Sequence, residues 1–186
     1  MTETPNYTVI RKDKGIELRN YPAYIKAEVT LDKISYRNAL FKGFRVLAGY
    51  IFGKNASSQE IAMTSPVQVS NAQKIAMTKP VTITGDNAYT VTFIMPSKYS
   101  LSTLPIPVDP SVIFTKVTAH TMAAMWFSGF YREGKVRKAE GRLKQWLENE
   151  GIRTVGNFIA AGYNPPWVPW FLARNEVMIE VLMPAE

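Results

Sequence analysis

The sequence predicts an α+β domain: a strongly twisted, largely antiparallel sheet or distorted β-barrel, built from two similar halves that each contribute one α-helix. Two long amphipathic patterns each have strand-like segments before and after them. The halves, about 1–104 and 105–186, also end alike, in Phe93-Ile94-Met95-Pro96 and Val181-Leu182-Met183-Pro184. Because an exposed sheet edge invites aggregation, we expect the halves to pair their edges with each other.

The first half begins with a predicted hairpin, formed by residues 7–10 and 16–19 around a turn at 12–15. Residues 24–31 alternate in polarity, as a half-buried strand does. A helix is expected from about 35 to 52, with Asp32 or Ser35 as its N-cap and Gly53 as its end.

A local duplication follows the first helix. Met-Thr-x-Pro-Val occurs at 63–67 and again at 77–81, and each copy is preceded by Ile-Ala. The turn-rich connector at 70–73 predicts that the copies face each other across a hairpin. Pro66 and Pro80 should lie at edges, bulges or strand ends, because proline cannot donate to a ladder. Residues 89–95 predict a further strand.

The second half repeats this plan. Strands are expected at 112–119 and 122–127, a helix from about 133 to 150 ended by Gly151, and strands at 158–163 and 176–182. Three prolines, at 105, 107 and 110, mark the link between the halves. Because this link is short, residues 1–186 should form a single rigid domain.

Composition narrows the classes of partner. The net charge of +7 favours anionic molecules, but the 22 lysines and arginines are scattered, without the basic stripe and reading element of a nucleic-acid-binding protein. No apolar run reaches the length of about 18 residues that a membrane span needs. The N-terminal residues have no signal-peptide pattern, so a cytoplasmic protein is expected. The oligomeric state stays open.

The catalytic motifs of common enzyme classes are missing. The chain has no cysteine, one histidine, and no GxSxG, P-loop, GxGxxG or HExxH motif, so we expect no enzymatic activity. His120 follows a strand at a position whose parity it shares with Lys116 and Thr118, which indicates a solvent or rim position. We therefore predict no metal site, with His120 as a weak candidate ligand only.

The first helix has an unusual outer face. Its wide apolar face, predicted to be the core face, includes Phe44, whereas Phe41, Ala48 and Phe52 lie on the opposite side among cations. That side could bind a flat apolar molecule, or its aromatic rings could pack under a neighbouring loop or under the other half of the chain. The second helix has an ordinary buried stripe and no second aromatic stripe. The Trp-rich segment 163–171 should likewise cover either the core or a ligand.

Several motifs together resemble the SOUL/haem-binding protein family. The doubled Met-Thr-x-Pro-Val is the most specific of them; the others are Tyr7-x-Val9, Ile16-Glu17-Leu18-Arg19-x-Tyr21-Pro22, Phe158-x-Ala160-x-Gly162-Tyr163 and Arg174-Asn175-Glu176-Val177. The resemblance implies a pseudo-twofold barrel related to effector-binding (gyrase-inhibitor-like) domains and non-covalent binding of haem or another porphyrin. Some members are thought to ligate iron through a histidine on the first helix. This chain has none there.

On this resemblance we expect a tetrapyrrole to bind to a hydrophobic surface with a basic rim, without catalysis. The predicted site residues are Arg37, Phe41, Lys42, Arg45, Phe52, Trp167, Trp170 and Phe171. One alternative is an effector-binding module for other amphipathic molecules, in which a buried Glu28 or Glu176 would hold a cation. Another is a protein–protein adaptor that uses the aromatic segment as its anchor.

Overall fold

The computed structural model describes residues 5–63, 65–71, 88–129, 132–163 and 174–183. Within these residues nine strands and two helices follow one another along the chain. They are β1 (Thr8–Asp13), β2 (Ile16–Tyr21), β3 (Tyr24–Leu31), α1 (Tyr36–Ile51), β4 (Val67–Asn71), β5 (Tyr89–Ile94), β6 (Ile113–Val117), β7 (His120–Ser128), α2 (Glu133–Asn149), β8 (Arg153–Gly162) and β9 (Arg174–Leu182).

Local sequence explains the ends of these elements. The β1–β2 hairpin turns at Lys14 and Gly15, which have φ angles of 47° and 82°, a region that glycine adopts without strain. Helix α1 begins after Ser35, which is extended but makes no side-chain capping bond, and it ends just before Gly53, whose φ is 99°. Gly151 follows α2 with a φ of 66°. The predicted hairpin and both predicted helices are therefore confirmed.

The strands form one sheet in the order β1-β2-β7-β9-β8-β4-β5-β3-β6. Every pairing in it is antiparallel. Among the described strands β1 and β6 remain unpaired on their outer sides, so the sheet is open and the predicted barrel closure is not confirmed. The antiparallel α+β class is confirmed, and the twofold relation between the halves stays a prediction.

Strands are exchanged between the two halves of the chain. β2 belongs to the first half but pairs with β7 of the second, and β6 belongs to the second half but pairs with β3 of the first. The halves also meet directly where β4 pairs with β8. Each half therefore depends on the other for its hydrogen-bonded edges.

Both helices pack on the same face of this sheet. Val69 of β4 is paired with Ala160 of β8; Val69 belongs to the core beneath α1, and Ala160 to the core beneath α2. The opposite face has a smaller buried cluster around Tyr21, Ala124 and Met178. A ligand that lies on the outer side of α1 is thus separated from this second face by a helix and the sheet.

Four predictions about local structure need correction. Phe44, expected in the core, is 37% exposed at the edge of α1, and Ala48, expected on the outer side, is buried at 9% exposure. Residues 61–63, 65 and 66 are not in a strand: β4 begins at Val67, so Pro66 lies at a strand end as predicted, and β4 continues to Asn71, into the connector where a turn was expected. The second copy of the duplication, 77–81, lies outside the described residues, so the expected hairpin between the copies is untested.

Candidate functional site

Helix α1 exposes two phenylalanine rings on its outer side. Phe41 is 68% exposed and Phe52 is 63% exposed. Phe44 lies beside them, with its ring packed edge-on against the buried ring of Phe93 at a centroid distance of 5.5 Å. Exposed aromatic rings on one helix face are characteristic of binding surfaces, because a ligand that removes large apolar side chains from water lowers the free energy of the complex.

Three cations accompany these rings. Arg37, Lys42 and Arg45 are all exposed, and Arg37, Phe41 and Arg45 follow one another at intervals of four residues along one stripe of α1. Within the described residues none of the three cations lies within ion-pair distance of a carboxylate. Their charges are therefore available to an anionic ligand.

A groove of about 600 Å³ lies between α1 and the link that joins the halves. Lys42 and Arg45 line it, together with Lys54 just after the helix. Its apolar walls include Val46 from α1 and Val108 from the link. Phe41, Phe52 and Arg37 lie outside the groove, on the open surface of the same helix. The site thus combines a basic groove with an aromatic surface beside it.

Sequence reasoning missed Lys54 and Val108. Val108 is 67% exposed although it is strongly apolar, and its neighbour Ile106 is 72% exposed. Apolar residues within a proline-rich link could have indicated a surface that binds something. Asp109 is the carboxylate that lines the groove, and hydrogen bonds from the side chain and backbone of Ser111 lower its pKa.

The aromatic segment predicted as the second part of the site lies outside the described residues, and with it Trp167, Trp170 and Phe171. Its two ends are described. Tyr163 and Arg174 are paired across the end of the β8–β9 hairpin, with the Arg174 guanidinium 4.9 Å from the centroid of the Tyr163 ring. No described contact joins these ends to α1, so whether the two parts form one site stays a prediction.

His120 lies at the start of β7, on the face of the sheet opposite α1. Its ring stacks on Tyr21, with the centroids 5.8 Å apart, and its Nδ1 is 2.8 Å from the backbone oxygen of Thr118. Since the sheet separates His120 from the outer side of α1, this histidine cannot reach a molecule bound to Phe41. It is half-buried at the rim of the sheet, close to the rim position that the sequence predicts.

Glu176 lies at the centre of the face opposite the helices, and its side chain is 0% exposed. Arg19 donates two hydrogen bonds to it, of 2.8 and 2.9 Å, from a side chain that is 2% exposed. Tyr163 donates a third bond of 2.6 Å and Arg174 a fourth of 2.7 Å. The carboxylate is therefore fully paired.

The pKa values of this network follow from its contacts. Burial alone would raise the pKa of Glu176, but the hydrogen bonds and charge of Arg19, with the bonds from Tyr163 and Arg174, outweigh burial and lower it. Burial and the adjacent Glu176 raise the pKa of Tyr163, which stays protonated as a donor. Glu28, the other candidate acid, is paired with Lys26 at 2.7 Å and accepts a bond from Thr115.

Two further features are absent from the described ranges. No group of three or more histidine, cysteine, aspartate or glutamate side chains comes together there in a way that could hold a metal ion. No helix in the same ranges has the length and apolar character required to cross a membrane.

Known proteins resemble this chain in sequence and in fold. The family model described as "SOUL heme-binding protein" matches residues 2–180. "Heme-binding protein 2" of Mus musculus is 24% identical over 172 residues, which cover 88% of this chain and 80% of the mouse protein. The EcmrR C-terminal domain has a TM-score of 0.67 at 13% identity, covering 95% of this chain and 98% of that domain. A protein described as a hydrolase from Listeria innocua has a TM-score of 0.57 at 10% identity, covering 93% and 94%; at such identities these two structures share the fold alone.

Proposed function

The chain belongs to the SOUL heme-binding protein family, and we propose that it binds haem or a related tetrapyrrole non-covalently on the outer side of α1, without catalysing a reaction. The proposed site is the aromatic surface of Phe41 and Phe52 together with the basic groove beside it, lined by Lys42, Arg45 and Lys54. The segment that contains Trp167, Trp170 and Phe171 is proposed to cover the bound tetrapyrrole. Arg37 is proposed to make a charge contact at the edge of the site.

The observation that carries the proposal is the exposure of Phe41 and Phe52 next to cations that lack carboxylate partners among the described residues. A porphyrin is a broad apolar plate with two propionates at one edge. The rings of Phe41 and Phe52 match the plate, and the groove cations match the carboxylates. A volume of about 600 Å³ lies within the range of small-molecule sites.

Haem, when bound, would supply an iron centre that takes axial ligands and exchanges electrons. The residues of this chain would contribute apolar contact and charge. Because α1 has no histidine and His120 lies on the other face of the sheet, the affinity would come from the plate and the propionates.

The effector-binding alternative has less support. A module that holds an organic cation needs a carboxylate that is available to it, and Glu176 is already paired with Arg19 and Arg174. The cavity beside it, near Tyr7 and Tyr163, measures only about 10 Å³. A cation could enter there only if this ion-paired network separated, at the cost of a buried charge without a partner.

A hemin titration tests the proposal. We expect a saturable Soret shift at micromolar protein, and a Kd raised about tenfold or more in the double variant Phe41→Ala/Arg45→Ala, because one aromatic contact and one charge-assisted pair are lost. His120→Ala should bind hemin with the same Kd and the same Soret maximum as the original chain.

The matched control is Lys138→Ala/Arg142→Ala, which removes two exposed cations from α2, a helix without exposed aromatic rings. It should leave the Kd unchanged. An original chain that gives no saturable response would contradict the proposed function. A double variant in α1 that binds hemin as well as the α2 control does would contradict the proposed site.

A further inference from the structure

A second cleft, away from α1's outer side, lies at one end of the sheet. It opens between the start of β3, the end of β5 and the loop at 97–102, and it has a volume of about 560 Å³. We call it the end cleft. It shares no lining residue with the basic groove of α1.

The floor of the end cleft is apolar and deeply buried. Ile94 and Met95 are each 4% exposed, and Pro96 follows them. Tyr24, Tyr99 and Leu101 also line the cleft; Leu101 remains 49% exposed at its mouth. An apolar or aromatic group that enters the cleft would therefore meet a continuous non-polar wall.

The walls are held in place before any ligand arrives. The backbone N–H of Met95 donates to the carbonyl of Ile25 at 2.8 Å, which joins the start of the loop to β3. Thr103 closes the loop by accepting a 2.8 Å bond from the backbone of Ser100, and Gln59 donates to the Tyr99 hydroxyl at 3.2 Å. A cleft formed in advance loses little conformational entropy when it binds a small molecule.

The charge of the end cleft differs from that of the α1 groove. Among the described residues that line it there is one charged side chain, Lys116 of β6, and no carboxylate. Lys116 is exposed, and no described carboxylate lies within ion-pair distance of it. Tyr24 also lines the cleft; burial, with smaller contributions from Tyr21 and two glutamates, raises its pKa to about 12, so its hydroxyl stays protonated at neutral pH.

We propose that the end cleft is a second binding site, for a small amphipathic monoanion that places an aromatic or aliphatic group over Ile94 and Met95 and its carboxylate or sulfonate beside Lys116. A single cation matches one acidic group, whereas the three cations of the α1 groove match the two propionates of a tetrapyrrole. Because the described part of the lining has no carboxylate, it offers a cationic ligand no ion pair.

The probe for this site is 8-anilinonaphthalene-1-sulfonate, an aromatic monoanion whose fluorescence rises in apolar surroundings. We expect saturable binding of this probe at the end cleft of the folded chain. Lys116→Glu should raise the Kd about tenfold or more, because the charge pair is replaced by repulsion. Leu101→Asp, which puts a carboxylate at the mouth, should act in the same direction. Both residues are exposed, so the variants should fold, as circular dichroism would verify.

A control separates this site from general charge. Lys138→Glu makes the same change in net charge on the exposed side of α2, and it should not change the Kd for the probe. Amide resonances of Ile25, Leu101 and Lys116 should shift on titration. The proposal is overturned if the original chain shows no saturable binding, if Lys116→Glu and Leu101→Asp bind as the original does, or if the shifts concentrate on α1.

Discussion

At the residue scale, the ion pair of Arg19 and Glu176 is the feature with the largest expected effect on stability. Both side chains are almost completely buried and are joined by two hydrogen bonds. A buried pair loses much of its attraction to desolvation, so its presence adds little to stability. The loss of Arg19, however, leaves the buried Glu176 with Arg174, whose side chain is 50% exposed, as its remaining cationic partner among the described residues. The pair of Arg11 and Glu150, at 2.7 Å, is more exposed. Removal of either residue should cost little stability, since water solvates the charge that remains.

We expect Arg19→Met to lower the free energy of unfolding at pH 7 by about 3–5 kcal/mol, as measured by urea denaturation. In the original chain the pKa of Glu176 is lowered, so its contribution is present above the ordinary value of 4.5 and is lost as pH falls. In the variant, burial without Arg19 should raise that pKa. Glu176 then takes up a proton more easily, so the difference between the two proteins should narrow in acid.

Arg11→Met is the matched control, and it should cost less than about 1 kcal/mol. Equal losses in the two variants, or a difference that widens as pH falls, would contradict this account of the pair.

At the element scale, α1 has one face for the core and one for the proposed ligand, and glycine allows the core face to approach the sheet closely. A Cβ placed on Gly43 would overlap the side chain of Val91, which is 0% exposed in β5. Gly141 of α2 is different, because a Cβ there meets nothing within 4 Å. The two glycines occupy helices of nearly equal length, so they form a natural pair for comparison.

Gly43→Ala should therefore destabilise the protein by about 1–3 kcal/mol, because the helix or Val91 must move to accept the methyl group. Gly141→Ala should stabilise it by about 0.5–1 kcal/mol through helix propensity alone. Thermal unfolding of both variants measures these effects. A stabilised Gly43→Ala would mean that α1 is not packed closely on β5.

At the scale of the whole molecule, the exchange of β2 and β6 makes each half of the sequence incomplete. The fragment 1–104 would lack β6, so β3 would lose a neighbour, and its β2 would lack β7. Residues 22–119 instead contain the contiguous strands β4-β5-β3-β6 and the helix packed on them.

We expect 1–104 to show no cooperative unfolding transition, and 22–119 to retain more strand and helix signal in circular dichroism. Mixing 1–104 with 105–186 should restore a cooperative transition, because the exchanged strands regain their partners. A fragment 1–104 that unfolds cooperatively on its own would show that strand exchange is not essential to the fold.

Much of the architecture could be predicted from local patterns. The predicted hairpin, both helices and most strands lie close to their observed bounds, because hydrophobic periodicity depends on neighbours along the chain; β4 is an exception, since it runs to Asn71, into the predicted turn. Strand β8 was predicted too short: it begins at Arg153, and a bulge between Val155 and Ile159 interrupts the alternation that a pattern search needs. For Phe44, periodicity places the residue on the apolar face of α1, but it does not show whether the sheet covers that part of the face.

Part of the candidate site could be predicted in the same way. The outer residues of α1 follow from helical spacing, so Arg37, Phe41, Lys42 and Arg45 were identified, and their exposure is observed. Lys54 and Val108 were not identified, because the groove that they line forms only when the link folds back along the helix. Spacing along one element carries no information about what a distant segment places beside it.

By itself, the sequence determined the order of the elements, the two-faced character of α1 and the family, since each depends on residues close together in the chain. Only the tertiary structure decided that β2 and β6 pair with strands of the other half and that His120 lies across the sheet from Phe41. It also decided that the charge of Glu176 is compensated by Arg19, 157 positions away. The physical reason is that pairing and burial between distant segments depend on the packing of the whole chain. A buried glutamate can bind a cationic ligand only if its carboxylate is not already paired with a cation of the protein.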